Sequence, residues 1–247
     1  MSRVWVILWS MFAVGAAGLY VASRKVEPAV RRSRLTKFVT YFCLVNLMLL
    51  GAFAGHVVFS GILLLVALLG ARELFMVLPV ASSGRRVVAW EMGVAYVLIV
   101  GGALLFAWRS RPAVAAVVYL VVCTFDGFSQ VTGQLLGRRK LTPTLSPGKT
   151  IEGSVGGLLC AVGMAFLLRP LAGWSEPRCL AIACFLAAAS LAGDLLASYV
   201  KRRGGIKDFG RLLPGHGGIL DRFDSFLFAA AACTLAAEAA RLCARFR

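Results

Sequence analysis

The chain has 247 residues, 60% of them hydrophobic and only 15% charged, and its mean hydropathy is +0.82. Soluble domains run near a quarter charged, so neither a soluble protein nor a separate soluble domain fits this composition. The formal net charge of +16 is accompanied by no aromatic-interleaved basic domain, which argues against nucleic acid and for basic loops facing anionic headgroups and phosphates.

Apolar stretches of about 20 residues recur along the chain, the length that crosses the hydrocarbon core. They predict an all-α, polytopic integral membrane protein with about eight helices, near 4–23, 37–55, 57–80, 88–107, 112–134, 153–173, 179–200 and 217–240. The period-2 alternation of an outer-membrane barrel is absent. The first stretch has the outline of a signal peptide, but no small-residue cleavage site precedes a soluble domain, so it reads as the first membrane helix. Arg72 and Glu73 interrupt the third stretch. Glu73 is a costly charge at that depth, either neutralised by Arg72 or turned toward a polar cavity, with a structural role favoured. The seven cysteines (Cys43, Cys123, Cys160, Cys179, Cys184, Cys233 and Cys243) form no CxxC pair and read as small core residues. The chain divides into N-terminal helices over 1–110 and a chemistry-bearing region over 111–247, within one integral membrane unit.

Basic residues set the orientation. Alternate connections hold Arg24, Lys25, Arg31, Arg32, Arg34 and Lys37; then Arg85 and Arg86; then Arg138, Arg139, Lys140 and Lys149; then Lys201, Arg202, Arg203, Lys207 and Arg211. The opposite side holds about half as many, so the first set is expected to face the cytoplasm, with both termini on the other side.

The chemistry concentrates on that same side. All five aspartates, Asp126, Asp194, Asp208, Asp221 and Asp224, lie in the second half of the chain, at the ends of the fifth, seventh and eighth stretches. Asp221 and Asp224 are neighbours on one helical face, an arrangement that a cation between them would relieve and that Arg222 would partly offset. Oxygen-only ligands near phosphates favour Mg²⁺ over a transition metal. The same aspartates could also be a salt-bridge cluster capping two helices. His216-Gly217-Gly218 leads into a helix start, where glycines allow close backbone approach and free N–H groups attract an anion. Ser146-Pro-Gly-Lys149-Thr150, followed by Glu152-Gly153, carries a lysine like that of a P-loop without the P-loop spacing. It reads equally as a polar loop with a Pro turn and a helix cap, and Arg138 to Lys140 read more readily as a topology signal.

At these residues the chain resembles the phosphatidate cytidylyltransferase (CDP-diacylglycerol synthase) family. The family's C-terminal pattern is filled without a gap by Ser198, Lys201, Arg202, Lys207, Asp208, Gly210, Leu213, Pro214, His216, Gly217, Gly218, Asp221, Arg222 and Asp224. Gly193-Asp194-Leu195, the Ser146 to Gly153 segment and Asp126 also match family positions. The resemblance covers about 120–226. The chain departs from it after Asp126, where Gly-Phe-Ser-Gln stands instead of small residues and a Tyr, and at Ile151, where Trp is common.

The resemblance implies an Mg²⁺-dependent transfer of the cytidylyl group of CTP to phosphatidate, giving CDP-diacylglycerol and pyrophosphate in phospholipid biosynthesis. It implies metal binding by Asp194, Asp221 and Asp224, and phosphate or nucleotide contacts by Lys149, Ser198, Lys201, Arg202, Lys207 and Arg222. Asp126 joins the substrate-binding set, and His216, Gly217 and Gly218 shape a turn against the triphosphate. Asp221, Asp224, Lys201 and Ser198 are the residues it makes catalytic. A second metal or a monovalent cation and a homodimer are compatible with it. It also implies a bacterial inner membrane with the active site toward the cytoplasm. Two other readings compete: a CTP-dependent polyprenol or phytol kinase, and a non-catalytic scaffold keeping a headgroup site. The unbroken pattern weighs against the kinase and the intact aspartates against the scaffold. A transporter is disfavoured because no paired broken helices appear.

Overall fold

The computed structural model of the protein describes residues 2–22, 24, 26–81, 86–215 and 217–245. Its helices are α1 (Ser2–Ala22), α2 (Pro28–Ala54), α3 (His56–Ala81), α4 (Arg86–Arg109), α5 (Pro112–Leu136), α6 (Ile151–Ala172), α7 (Glu176–Arg203) and α8 (Leu220–Arg245). A two-stranded antiparallel hairpin, β1 (Lys140–Thr142) and β2 (Ser146–Thr150), stands between α5 and α6. Within a bilayer every backbone polar group must be satisfied inside its own segment, and helices do this residue by residue. Seven helices, α2 to α8, are long and apolar enough to cross a membrane among the described residues, whereas α1 carries only a shorter apolar stretch. The protein is therefore an all-α polytopic membrane protein.

Helix α5 is the axis of the bundle. Its residues Ala115 to Val122 are all buried, and α2, α6, α7 and α8 pack around it. A helix apolar on every side belongs in the middle of such an assembly. Its closest partner is α6, because Gly153 and Gly157 on α6 present no side chain. A Cβ at either would collide with the α5 backbone, at Ser129 and Phe125 respectively. This small-residue spacing lets two membrane helices approach without a hydrophobic driving force between them.

Two boundaries differ from the hydropathy reading. Helix α2 starts at Pro28, about two and a half turns before the last of its basic residues, Lys37, because proline's fixed φ suits the first helical turn. The segment read as a polar loop before α6 is the β1–β2 hairpin, with Lys140 paired to Thr150 and Thr142 to Ser146. The hairpin is tied at its base. Glu152, in the first turn of α6, accepts from the N–H groups of Arg138 (3.0 Å) and Arg139 (3.1 Å). Thr150 caps α6 by accepting from the Gly153 N–H at 3.1 Å.

The hairpin, the end of α7, residues 204–215 and 217–219, and the start of α8 all lie at one end of the bundle. The polar half of the chain's chemistry is gathered there.

Candidate active site

Helix α7 supplies the spine. Ser190, Asp194, Ser198 and Lys201 follow at spacings of four, four and three, which stacks them on one face. Ser190 Oγ donates to Asp126 Oδ1 on α5 at 2.5 Å, and Ser198 Oγ donates to Asp194 Oδ1 at 3.3 Å. Lys149 reaches in from β2 and pairs with Asp194 Oδ2 at 2.6 Å. Lys201 Nζ lies 2.9 Å from Asp221 Oδ1 on α8 and 5.3 Å from the centre of the Phe209 ring. Three helices and a hairpin thus bring Asp126, Asp194, Asp221, Lys149 and Lys201 together. Asp224 joins them one turn along α8, close enough to feel the charges of Asp194, Lys201 and Asp126. Its carboxylate accepts the N–H of its own neighbour, Ser225, at 2.7 Å.

Asp221 and Glu73 build the turn that leads into α8. Besides Lys201, Asp221 accepts at Oδ2 from the N–H groups of Phe209 (2.8 Å) and Gly218 (2.9 Å). One buried carboxylate therefore ties Phe209 and Gly218 to the first turn of α8. Glu73 arrives from α3, more than 140 residues earlier in the chain, and is 3% exposed. Its two oxygens accept from the N–H groups of Ile219 (3.0 Å) and Leu220 (2.9 Å). A carboxylate at a helix N-terminus satisfies donors that have no intrahelical partner and sits at the positive end of the dipole. Gly210 and Gly218 face this carboxylate, and a Cβ on either would overlap it. Gly217 has a φ of +86°, where a side chain would be strained. From α2, Thr40 Oγ1 donates to the Pro214 carbonyl at 3.3 Å, and the Lys37 side chain packs on Gly215.

Two expectations meet a different arrangement. Glu73 has the structural role favoured from the sequence, but what it partners is the N-terminus of α8 and not Arg72. The N–H groups at the start of α8, expected to be free for an anion, donate instead to the protein's own carboxylates: that of Gly218 to Asp221, and those of Ile219 and Leu220 to Glu73. His216 lies outside the described residues.

Arg202 donates through Nε to the Leu145 carbonyl at 3.3 Å, at the tip of the hairpin, and through Nη1 to the Ile206 carbonyl at 3.4 Å. Lys207 and Arg222 are exposed. The sequence reading missed Ser190 and the capping role of Glu73. The i−4 and i+4 serines around Asp194 carried a signal for the first. Nothing local carried one for the second.

Among the described residues no three acidic, histidine or cysteine side chains stand close enough to enclose a metal ion. Mg²⁺ does not require such a cage, since it binds through one or two carboxylates and completes its shell with waters and substrate phosphates. Carboxylates and hydroxyls form a hard, oxygen-only donor set of the kind Mg²⁺ prefers. The residues fit the ion.

Residues 82–239 match the model of the cytidylyltransferase family. The chain is 45% identical over 143 residues to the phosphatidate cytidylyltransferase of Staphylococcus saprophyticus, which covers 56% of this chain and 54% of that protein. It is 42% identical over 141 residues to the protein of the same name from Staphylococcus aureus, with the same coverage. It is 45% identical over 111 residues to that of Bacillus subtilis, covering 44% of this chain and 41% of the relative. The chain spans about half the length of the curated relatives it matches.

Proposed function

The chain belongs to the cytidylyltransferase family, and we propose that it transfers the cytidylyl group of CTP to phosphatidate. A phosphate oxygen of phosphatidate attacks the α-phosphorus of CTP. The bond from that phosphorus to the oxygen bridging to the β-phosphate breaks, pyrophosphate leaves, and CDP-diacylglycerol remains in the membrane. No proton need move first, because a phosphate nucleophile is ionised near neutral pH.

One observation carries this reading. Two lysines, Lys149 and Lys201, and the carboxylates of Asp194, Asp221 and Asp224 converge at the end of the bundle where apolar helices give way to basic loops. A water-borne triphosphate and a membrane-borne phosphate can meet only at such a boundary. The names of the bacterial relatives support the same substrates.

Asp194, Asp221 and Asp224 are the residues that would hold Mg²⁺. When bound, it neutralises the triphosphate and makes its α-phosphorus more electrophilic. Lys149 and Lys201 each sit on a carboxylate, and a phosphate competes for the same ammonium groups. Their fixed positive charge near the leaving pyrophosphate is worth most in a site with little water. Arg202 braces the hairpin that delivers Lys149, while Lys207 and Arg222 extend the cationic rim toward incoming CTP. Ser198 orients Asp194, and Ser190 orients Asp126. The basic connections at this end support an orientation with the site toward the cytoplasm of a bacterial cell, where CTP is found.

The test uses purified protein in detergent with phosphatidate, Mg²⁺ and CTP labelled separately at the α- and γ-phosphates. Label from the α-phosphate is expected in the lipid, with γ-label in pyrophosphate. Label from the γ-phosphate in the lipid would show phosphoryl transfer and overturn the proposal.

A further inference from the structure

Lys37 of α2 reaches the reaction end from outside the segment that matches the family model. From Phe38 to Ala54 the helix carries no charged residue, a length near that of the hydrocarbon core at about 1.5 Å per residue. Lys37 is the last charge before that apolar body, so it stands at the depth of the lipid headgroups. Val45, Tyr41 and Lys37 follow at spacings of four, which puts them on one face. That face turns inward: Val45 is buried, and the Tyr41 hydroxyl donates to the Cys123 carbonyl of α5 at 3.5 Å. Tyr41 is close enough to Asp126 and Arg222 to feel their charges, and Lys37 lies one turn nearer the loops.

The stem of Lys37 is held in place. It crosses Gly215, where an added Cβ would lie 2.9 Å from the lysine Cγ and 3.6 Å from its Cε. The turn it rests on is closed by the Leu213 N–H, which donates to the Gly217 carbonyl at 2.9 Å. The next residue, Gly218, donates to Asp221, so the lysine is braced against the turn that supports a carboxylate of the site. Lys37 is exposed, and its ammonium group forms no ion pair among the described residues. Lys149 and Lys201 must each give up a carboxylate to take a phosphate, whereas Lys37 has none to give up. Resting on the proposed reaction, we infer that Lys37 binds the phosphomonoester of the lipid acceptor at the membrane edge of the site. A phosphomonoester carries roughly two negative charges near neutral pH, and an ammonium group pairs with it as a point charge. A lysine on a membrane helix at headgroup depth meets a phosphate travelling in the plane of the bilayer before it meets one arriving from water.

The test measures binding without turnover. Dioctanoyl phosphatidate is titrated into the full chain in detergent, without CTP or Mg²⁺, and the rise of the thermal midpoint gives its Kd. Lys37→Met keeps an unbranched apolar stem on Gly215 and removes the charge, while Lys37→Arg keeps the charge. Lys37→Met is expected to weaken phosphatidate binding about tenfold, the scale of one charge-assisted hydrogen bond, and Lys37→Arg to retain most of it. CTP with Mg²⁺, titrated in the same way, should bind all three proteins alike. In turnover, Lys37→Met should raise the KM for phosphatidate about tenfold with the KM for CTP unaltered. Dioctanoyl phosphatidylcholine, which has no phosphomonoester, and inorganic phosphate, which has no lipid, should show no dependence on Lys37. Phosphatidate binding indifferent to Lys37→Met, or weakened together with that of CTP, would reduce Lys37 to a prop for the turn and overturn the inference. Inorganic phosphate binding with the same dependence on Lys37 would overturn the lipid as its occupant. Because binding needs no turnover, Lys37-dependent phosphatidate binding without CDP-lipid formation would sink the proposed reaction and leave this contact standing.

Discussion

Glu73 and Asp221 do related work from different parts of the chain. Each is a buried carboxylate that accepts from two backbone N–H groups around the entrance to α8. Removing Glu73 strands the N–H groups of Ile219 and Leu220 where little water can reach them. Each orphaned donor costs about 1–3 kcal/mol. Glu73→Ala should therefore lower the thermal midpoint of the detergent-solubilised protein and reduce turnover. Glu73→Gln, which keeps one acceptor oxygen, should lose less of both. Equal losses in the two variants, read by thermal unfolding and by product formation, would show that the negative charge and not the capping geometry matters. At this scale the sequence was partly readable. Asp126, Asp194, Asp221, Asp224, Lys149 and Lys201 stood out as polar residues in an apolar chain, and the structure brings them together. The partner of Glu73 did not stand out, because hydropathy marks a charge as expensive without saying which distant backbone it satisfies.

The β1–β2 hairpin is the element that makes Lys149 available. It has few residues, a proline (Pro147) within one strand, and no apolar face of its own. Propensity offers no reason for a hairpin here. Its anchors supply one: Glu152 grips the base and Arg202 the tip. Glu152→Ala should loosen the base and let Lys149 wander from Asp194. The expected result is a fall in kcat/KM for CTP of between about ten- and a hundredfold, the range in which a misplacement near 1 Å acts. Thermal stability should change little, because the hairpin lies outside the helical core. A matched loss of stability and activity would assign Glu152 to the fold instead. The helices themselves were legible from apolar runs of membrane length. Their ends were less so, as at α2, because a helix can continue into water beyond its apolar body.

Across the whole molecule, charge and chemistry share one end. The exposed Lys207, Arg211 and Arg222 stand there, whereas Ser175, at the start of α7, stands at the other. Single Arg211→Cys and Ser175→Cys variants report which end faces which side. A membrane-impermeant maleimide added to intact cells should label the Ser175 position and spare the Arg211 position, with both labelled after permeabilisation. Labelling of Arg211→Cys from outside would reverse the orientation and remove the site from the cytoplasmic CTP pool. The seven long apolar helices made this architecture readable from composition. Which helix sits at the centre was not, since several are equally apolar and only packing distinguishes α5.

The clamp between α3 and α8 also gives assembly a direction. Chains are made from the N-terminus, and elements settle as they emerge. Glu73 is in the bilayer long before Ile219 and Leu220 leave the ribosome, and until then its carboxylate must be satisfied by something else. Water at the membrane surface or a lipid headgroup is the available substitute. The last helix therefore completes its own entrance and, in the same event, displaces a placeholder from the third.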